Sequence, residues 1–270
     1  MKTIYICTDS VTGIYSGIYD AWKNKNRADA CGIALKGMVE QELFCDYVEV
    51  EEAHRKASAV DKMIRKHLGA AVYRDLYYAL LSSDREKGNA VLGTMLAARE
   101  LSDSYNVMEH LSCPVVEKVF ELSRTVAGEI HHLKGFLRFR ELENGVLYAP
   151  VSPRARILTC LAPYFEDRLP QENWMIHDRN HRMFAVHEAG KKWVLVQEAG
   201  ILGTDSVKES GDVWSEKFRW TSKEEQRYDR LWKGFCKAIF IEERKNPRCQ
   251  LQHLPLRYRA DMTEFYKDHN

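Results

Sequence analysis

Residues Trp174–Gln197, WMIHDRNHRMFAVHEAGKKWVLVQ, contain three short runs rich in β-branched and aromatic residues: Trp174–His177, Met183–His187 and Trp193–Gln197. Asp178-Arg179-Asn180-His181 and Ala189-Gly190-Lys191 separate them, and both have turn composition. Such spacing predicts three antiparallel strands in a meander. Just upstream, Glu143-Asn144-Gly145 marks a turn, Val146–Val151 reads as a strand, and Ser152-Pro153 introduces a helix expected over Arg154 to about Phe165. Downstream, Lys223 to about Lys245 predicts a long helix with Tyr228, Leu231, Phe235 and Ile239 inward, stopped at Asn246-Pro247. The tail beyond it, through Leu254-Pro255-Leu256-Arg257-Tyr258-Arg259, keeps enough apolar residues to dock.

Toward the N-terminus the period changes from two to about 3.6. Val119, Leu122, Val126, Ile130, Leu133 and Leu137 step by three or four and define a core-facing helical stripe after the Ser112-Cys113-Pro114 break. Beside that stripe runs a second line, Glu129, His132, Phe136 and Arg140, which reads first as an ordinary helix edge and only second as a pocket wall. Ala53 to about Leu101 is mostly helical and breaks near Ser82-Ser83-Asp84. Thr3–Cys7 reads as a strand ending at the cap Asp9-Ser10, and Gly32–Leu35 and Leu43–Val50 are further strands. Gly13 and Gly17, four apart on the intervening helix, point to close backbone packing or to ligand approach. The fold class is α+β: an N-terminal strand-helix lobe, long helices, and an antiparallel meander flanked by helices. The expected division is an N-terminal lobe over 1–84, a core domain over 85–250 and a docking tail over 251–270.

Composition narrows the function. The 270 residues are 45% hydrophobic, enough for a real core, and 40 Lys+Arg against 39 Asp+Glu leave a net charge of only +1. Any nucleic-acid binding must therefore rest on a local patch. Seven scattered cysteines without a Cys-x-x-Cys pair read as reduced thiols. No signal peptide and no apolar run of membrane-spanning length is present, so a cytoplasmic protein without membrane contact is expected.

Motifs for known chemistry are mostly missing. No phosphate loop, dinucleotide loop, H-E-x-x-H pair or G-x-S-x-G elbow occurs. His131, His132, His177, His181 and His187 lie in one stretch near Glu129, Asp178 and Glu188, but across a turn they need not converge, so no metal and no cofactor is expected. More coherent is a cationic and aromatic set. Arg138, Arg140, Arg154, Arg156 and Arg179 with Phe136, Tyr148 and Trp174 could hold a strand, arginine forks on phosphate and rings on bases. The same arginines could as well pair with nearby acids while the rings fill the core.

Glu129-Ile130-His131-His132-Leu133-Lys134-Gly135-Phe136-Leu137-Arg138-Phe139, the run Gly145–Pro153, Tyr164–Pro170 and Trp174–Asp178 occur in that order. In these four motifs the chain resembles an uncharacterised bacterial family described as probable DNA metabolism or putative DNA repair proteins. The resemblance implies action on nucleic acid in repair or modification beside a radical-SAM protein; some relatives are fused to a uracil-DNA glycosylase-like domain, which is not expected here. It also implies that Glu129, His132, Arg138, His177 and Asp178 share one functional surface. Thr12, Ser16 and Arg154 stand where the family pattern carries acids. Two principal readings follow. One is an accessory nucleic-acid-binding protein; the other is an enzyme using Glu129 or Asp178 as general base with His132 or His177 as acid or orienting partner. A third reading is a protein-interaction partner whose arginines make only surface ion pairs.

Overall fold

The computed structural model describes residues 2–23, 30–40, 43–199 and 221–265. These form two units, Met1–Gly128 and Glu129–Asn270, in an α+β architecture with one parallel and one mixed sheet.

In the first unit β1 (Lys2–Cys7) is central, flanked by β2 (Cys31–Leu35) and β3 (Cys45–Glu49) in the order β2-β1-β3, with both pairs parallel. Parallel neighbours need crossovers, and α1 (Val11–Lys23) supplies the first. Its two glycines serve packing. A Cβ on Gly17 would lie 2.2 Å from Cys7 Sγ, and one on Gly13 would lie 2.6 Å from the Thr8 carbonyl oxygen. Ser16 is fully buried; its hydroxyl donates to the Thr12 carbonyl at 2.7 Å and accepts the Ala53 N–H at 3.1 Å. It thereby ties α1 to the start of α2 (His54–Leu81), which explains why a small hydroxyl stands there.

The helical reading of 53–101 resolves into α2 and α3 (Lys87–Glu100), separated at 82–86. Within α2 the backbone breaks at Gly69, whose φ of 82° favours glycine and whose missing side chain admits the Tyr105 ring. Val60, Ile64, Leu68, Val72 and Leu76 face the core, whereas Arg65 pairs with Asp61 and Lys56 with Asp20. The basic set on α2 thus includes ordinary ion-paired surface charge. Lys87 is buried and held by Asp9 at 2.6 Å and by the Ser82 carbonyl at 2.7 Å, so its charge is compensated at the carboxyl end of β1. The stripe on α4 (Pro114–Phe136) is buried as its period predicts, from Val119 through Leu133.

The second unit is built on the sheet β4-β5-β6-β7-β8. β6 (Trp174–Asp178), β7 (Met183–His187) and β8 (Val194–Gln197) form the expected meander. β5 (Leu147–Val151) joins it in parallel, Leu147 opposite Trp174, and β4 (Arg140–Glu141) adds an antiparallel edge. Between β5 and β6 comes α5 (Leu158–Arg168), burying Leu158, Leu161, Ala162 and Phe165. It starts four residues later than the sequence suggests, because the N–H groups of Arg154 and Ala155 bond to Glu129.

The last long helix also departs from expectation. α6 spans Lys223–Ile239 and is followed by a short 3-10 turn and a helix over Pro247–His253. Ser222 caps its N-terminus by accepting the Glu225 N–H. Tyr228, Leu231, Phe235 and Ile239 do not point inward; Leu231 is 58% exposed, and the half-buried side carries Glu225, Asp229, Lys233 and Cys236. Docking at Glu141, through the Ser222 N–H and the Glu225 carboxylate, sets that orientation. The tail folds back: Tyr258 and Met262 are buried, and residues 266–270 lie outside the described residues.

Candidate nucleic-acid interface

α4 presents Glu129 to the loop after β5. The carboxylate is 4% exposed and accepts the N–H of Arg154 at 3.0 Å and of Ala155 at 2.9 Å, with Arg257 Nη1 at 3.5 Å. From the other side, the β6–β7 turn holds the same loop. Arg179 donates to Ser152 Oγ at 2.9 Å, and Asn180 donates to the Pro153 carbonyl at 2.8 Å. Asp178 fixes that turn, accepting the N–H groups of Asn180 and His181 and lying 2.6 Å from His181 Nδ1. Pinned at both edges, the loop alternates: Pro153, Ala155 and Ile157 are buried, while Arg154 and Arg156 project to solvent.

The tail covers the neighbouring ground. Asp261 engages Arg179 with both oxygens at 2.6 and 2.8 Å, and Glu264 engages Arg138 at 3.1 Å. Tyr258 sets its ring edge against His132 and tilts against Phe136, while His132 and Phe136 stack at 5.7 Å. Burial, helped by His131 and Arg257, holds the His132 imidazole below its ordinary pKa.

These positions correct several expectations. Trp174 is 0% exposed and stacks on His187, and Tyr148 is buried with its hydroxyl 2.9 Å from His177 Nδ1, so neither ring has a face open to a base. Phe136 is half-buried under the tail, and Arg140 is half-buried on β4. Glu129 spends both oxygens on backbone amides and Asp178 spends its own on a turn, which leaves neither carboxylate placed as a general base. Glu129 therefore belongs to the scaffold of residues 152–157 and Asp178 to the turn that holds it, whereas Arg138 bonds to the Gly135 and Leu137 carbonyls and to Glu264. His187 Nδ1 lies 2.8 Å from the Glu172 carbonyl and His181 meets Asp178, so these imidazoles do not converge as ligands. Among the described residues no three His, Cys, Asp or Glu side chains group around a metal position. All seven cysteines are free thiols; burial pushes Cys7 up to about 12 and raises Cys31 and Cys160, which keeps these three protonated at neutral pH. Asp261, Glu264, Arg257 and Tyr258 were not legible as site residues. Their only signal is apolar Tyr258 and Met262 interleaved with charges in a short tail.

His177 carries a pH prediction. It is 1% exposed and stacks on Phe184 at 4.1 Å, and burial with the charge of Arg179 lowers its pKa from 6.5 to about 4. Above pH 6.5 the imidazole is neutral folded or unfolded. Between pH 6.5 and 4 the unfolded chain takes the proton first, so stability falls on acidification through this window, by up to about 3 kcal/mol. Denaturant midpoints from pH 7.5 to 4.5 are expected to show the slope, and His177→Gln to flatten it. An identical profile in the variant would assign the slope to other groups.

The fold and its polar scaffold define an α+β protein with an arginine-bearing loop clamped by a buried carboxylate. None of the helices among the described residues is long and apolar enough to cross a membrane. The chain belongs to the DUF4130 family, a domain of unknown function, which matches residues 85–264. A search of curated proteins gave no match.

Proposed function

We propose that this DUF4130 protein binds nucleic acid through the Ser152–Ile157 loop, with Arg154 and Arg156 on phosphate, as an accessory factor in DNA repair or modification. The observation that carries the reading is the Glu129 clamp. Holding two consecutive backbone amides fixes the loop's backbone, and the alternation of burial then leaves the side chains of Arg154 and Arg156 exposed. A preorganised loop backbone lowers the ordering cost of meeting phosphate. Arg179 supports the loop through Ser152, and Arg179 and Arg138 are paired with Asp261 and Glu264, so both are assigned to scaffold rather than contact. The link to repair and the radical-SAM partner rest on the family resemblance in the four motifs.

Fluorescence anisotropy with labelled single-stranded and duplex oligonucleotides at two salt concentrations tests this. Affinity is expected to weaken with salt, and Arg154→Ala/Arg156→Ala to lower it at least tenfold while reducing the log–log salt slope by about 2, one per phosphate contact. Equal affinity and slope in the variant, or no binding at low salt, would remove the loop as an interface.

A further inference from the structure

The first unit holds a cavity of about 400 Å³ between α1, α2 and α3, unrelated to the arginine loop. Trp22, Met63, Leu68, Met95 and Leu101 form its apolar lining, and His67, Arg99 and Ser104 its polar lining. That volume lies within the range of sites for small organic ligands, which are apolar with a few placed polar groups. Here the placed charge is Arg99. Its guanidinium lies 5.1 Å from the centre of the Trp22 ring, and no acid is paired with it among the described residues. Neighbouring cations differ, since Arg65 meets Asp61 and Lys118 meets Asp84. At the same rim the Ser104 hydroxyl is already spent on the His67 carbonyl, at 2.7 Å. An apolar body with a single anionic end fits both features: the body fills the cavity, and the anion accepts from the Arg99 fork.

We propose that this cavity binds a small apolar acid, its ring or short acyl chain against Trp22, Met63 and Leu101 and its anionic group on Arg99. The ring and chain versions share this chemistry and are separated by two probes, 2-naphthoate and decanoate, with uncharged 2-naphthamide as the control. Isothermal titration of the full chain is expected to show saturable binding of at least one acid. Arg99→Met is expected to weaken that acid about tenfold, the scale of one charge-assisted hydrogen bond, without changing the affinity for naphthamide. Ala98→Leu fills the floor and is expected to abolish binding. Met63→Trp narrows the half-buried wall and does the same if the first variant fails to fold. No binding of either acid at millimolar concentration overturns the proposal. So does binding that survives the filling variants, which would seat the probes elsewhere, or an Arg99→Met loss shared equally by naphthamide.

Discussion

Replacing Glu129 by Gln is expected to destabilise the second unit by about 2–4 kcal/mol, lowering its thermal midpoint by roughly 5–10 °C. The carboxylate is buried and accepts one backbone N–H on each oxygen, Arg154 on Oε1 and Ala155 on Oε2. An amide has a single oxygen, so in the variant one N–H faces an NH2 group and goes unmet in a buried setting. It also loses the negative charge that strengthens both bonds and faces Arg257. Calorimetry of the full chain measures the midpoint, and hydrogen exchange at Arg154 and Ala155 locates the effect. Unchanged exchange at both amides with an unchanged midpoint would show that Glu129 does not hold the loop, and would return it to consideration as a general base. Because the clamp sets the arginines, the same variant is expected to weaken oligonucleotide binding in step with the loss of loop protection.

Gly17→Ala is the second large effect, and it acts in the first unit. The added methyl would sit 2.2 Å from Cys7 Sγ and 3.3 Å from Ile33 Cδ1, so α1 must lift from β1 or the thiol must move within a packed core. A loss of about 3 kcal/mol is expected. The partner test is Cys7→Ala, which removes the sulfur and leaves Cys7 Cβ at 3.8 Å, an ordinary contact. In the double variant the two changes should compensate, with a coupling of at least about 1 kcal/mol in urea unfolding. Strict additivity would mean that the helix, not the thiol, limits the site.

Gly13 and Gly17 illustrate what was legible. Their spacing on a helix following a short strand left two readings open, packing and ligand approach, and only the neighbouring atoms of Thr8 and Cys7 decide for packing. The α4 stripe and the β6–β8 meander were readable because each rests on a local period, 3.6 or 2, that a few neighbouring residues already express. α6 obeys the same period, and its apolar face was identified correctly as a face. Its direction was not, because the orientation is set by contacts of Ser222 and Glu225 with Glu141, some eighty residues away.

Chemistry was harder to read than secondary structure for the same reason. Aromatic and arginine residues at 136–182 carry no mark that tells a core ring from a stacking platform. Trp174 and Tyr148 became core when β5 and β6 paired. Glu129 and Asp178 looked like candidate bases because both are acids near histidines. Whether a carboxylate is free for chemistry depends on which amides reach it, and those of Arg154 and Ala155 lie 25 and 26 positions along the chain.

By itself the sequence determined the α+β class, the positions of most strands and helices, and the restriction of any nucleic-acid binding to a local patch. These follow from hydrophobic period, turn residues and charge balance, which are local or additive properties. Tertiary structure alone decided which polar groups meet and which side chains lie at the surface. It paired Arg138 with Glu264 across 126 positions and Arg179 with Asp261 across 82, and it left Arg154 and Arg156 at the surface. Hydrogen bonds and ion pairs are short-ranged contacts between residues that only folding brings together, so their partners are properties of the packed chain.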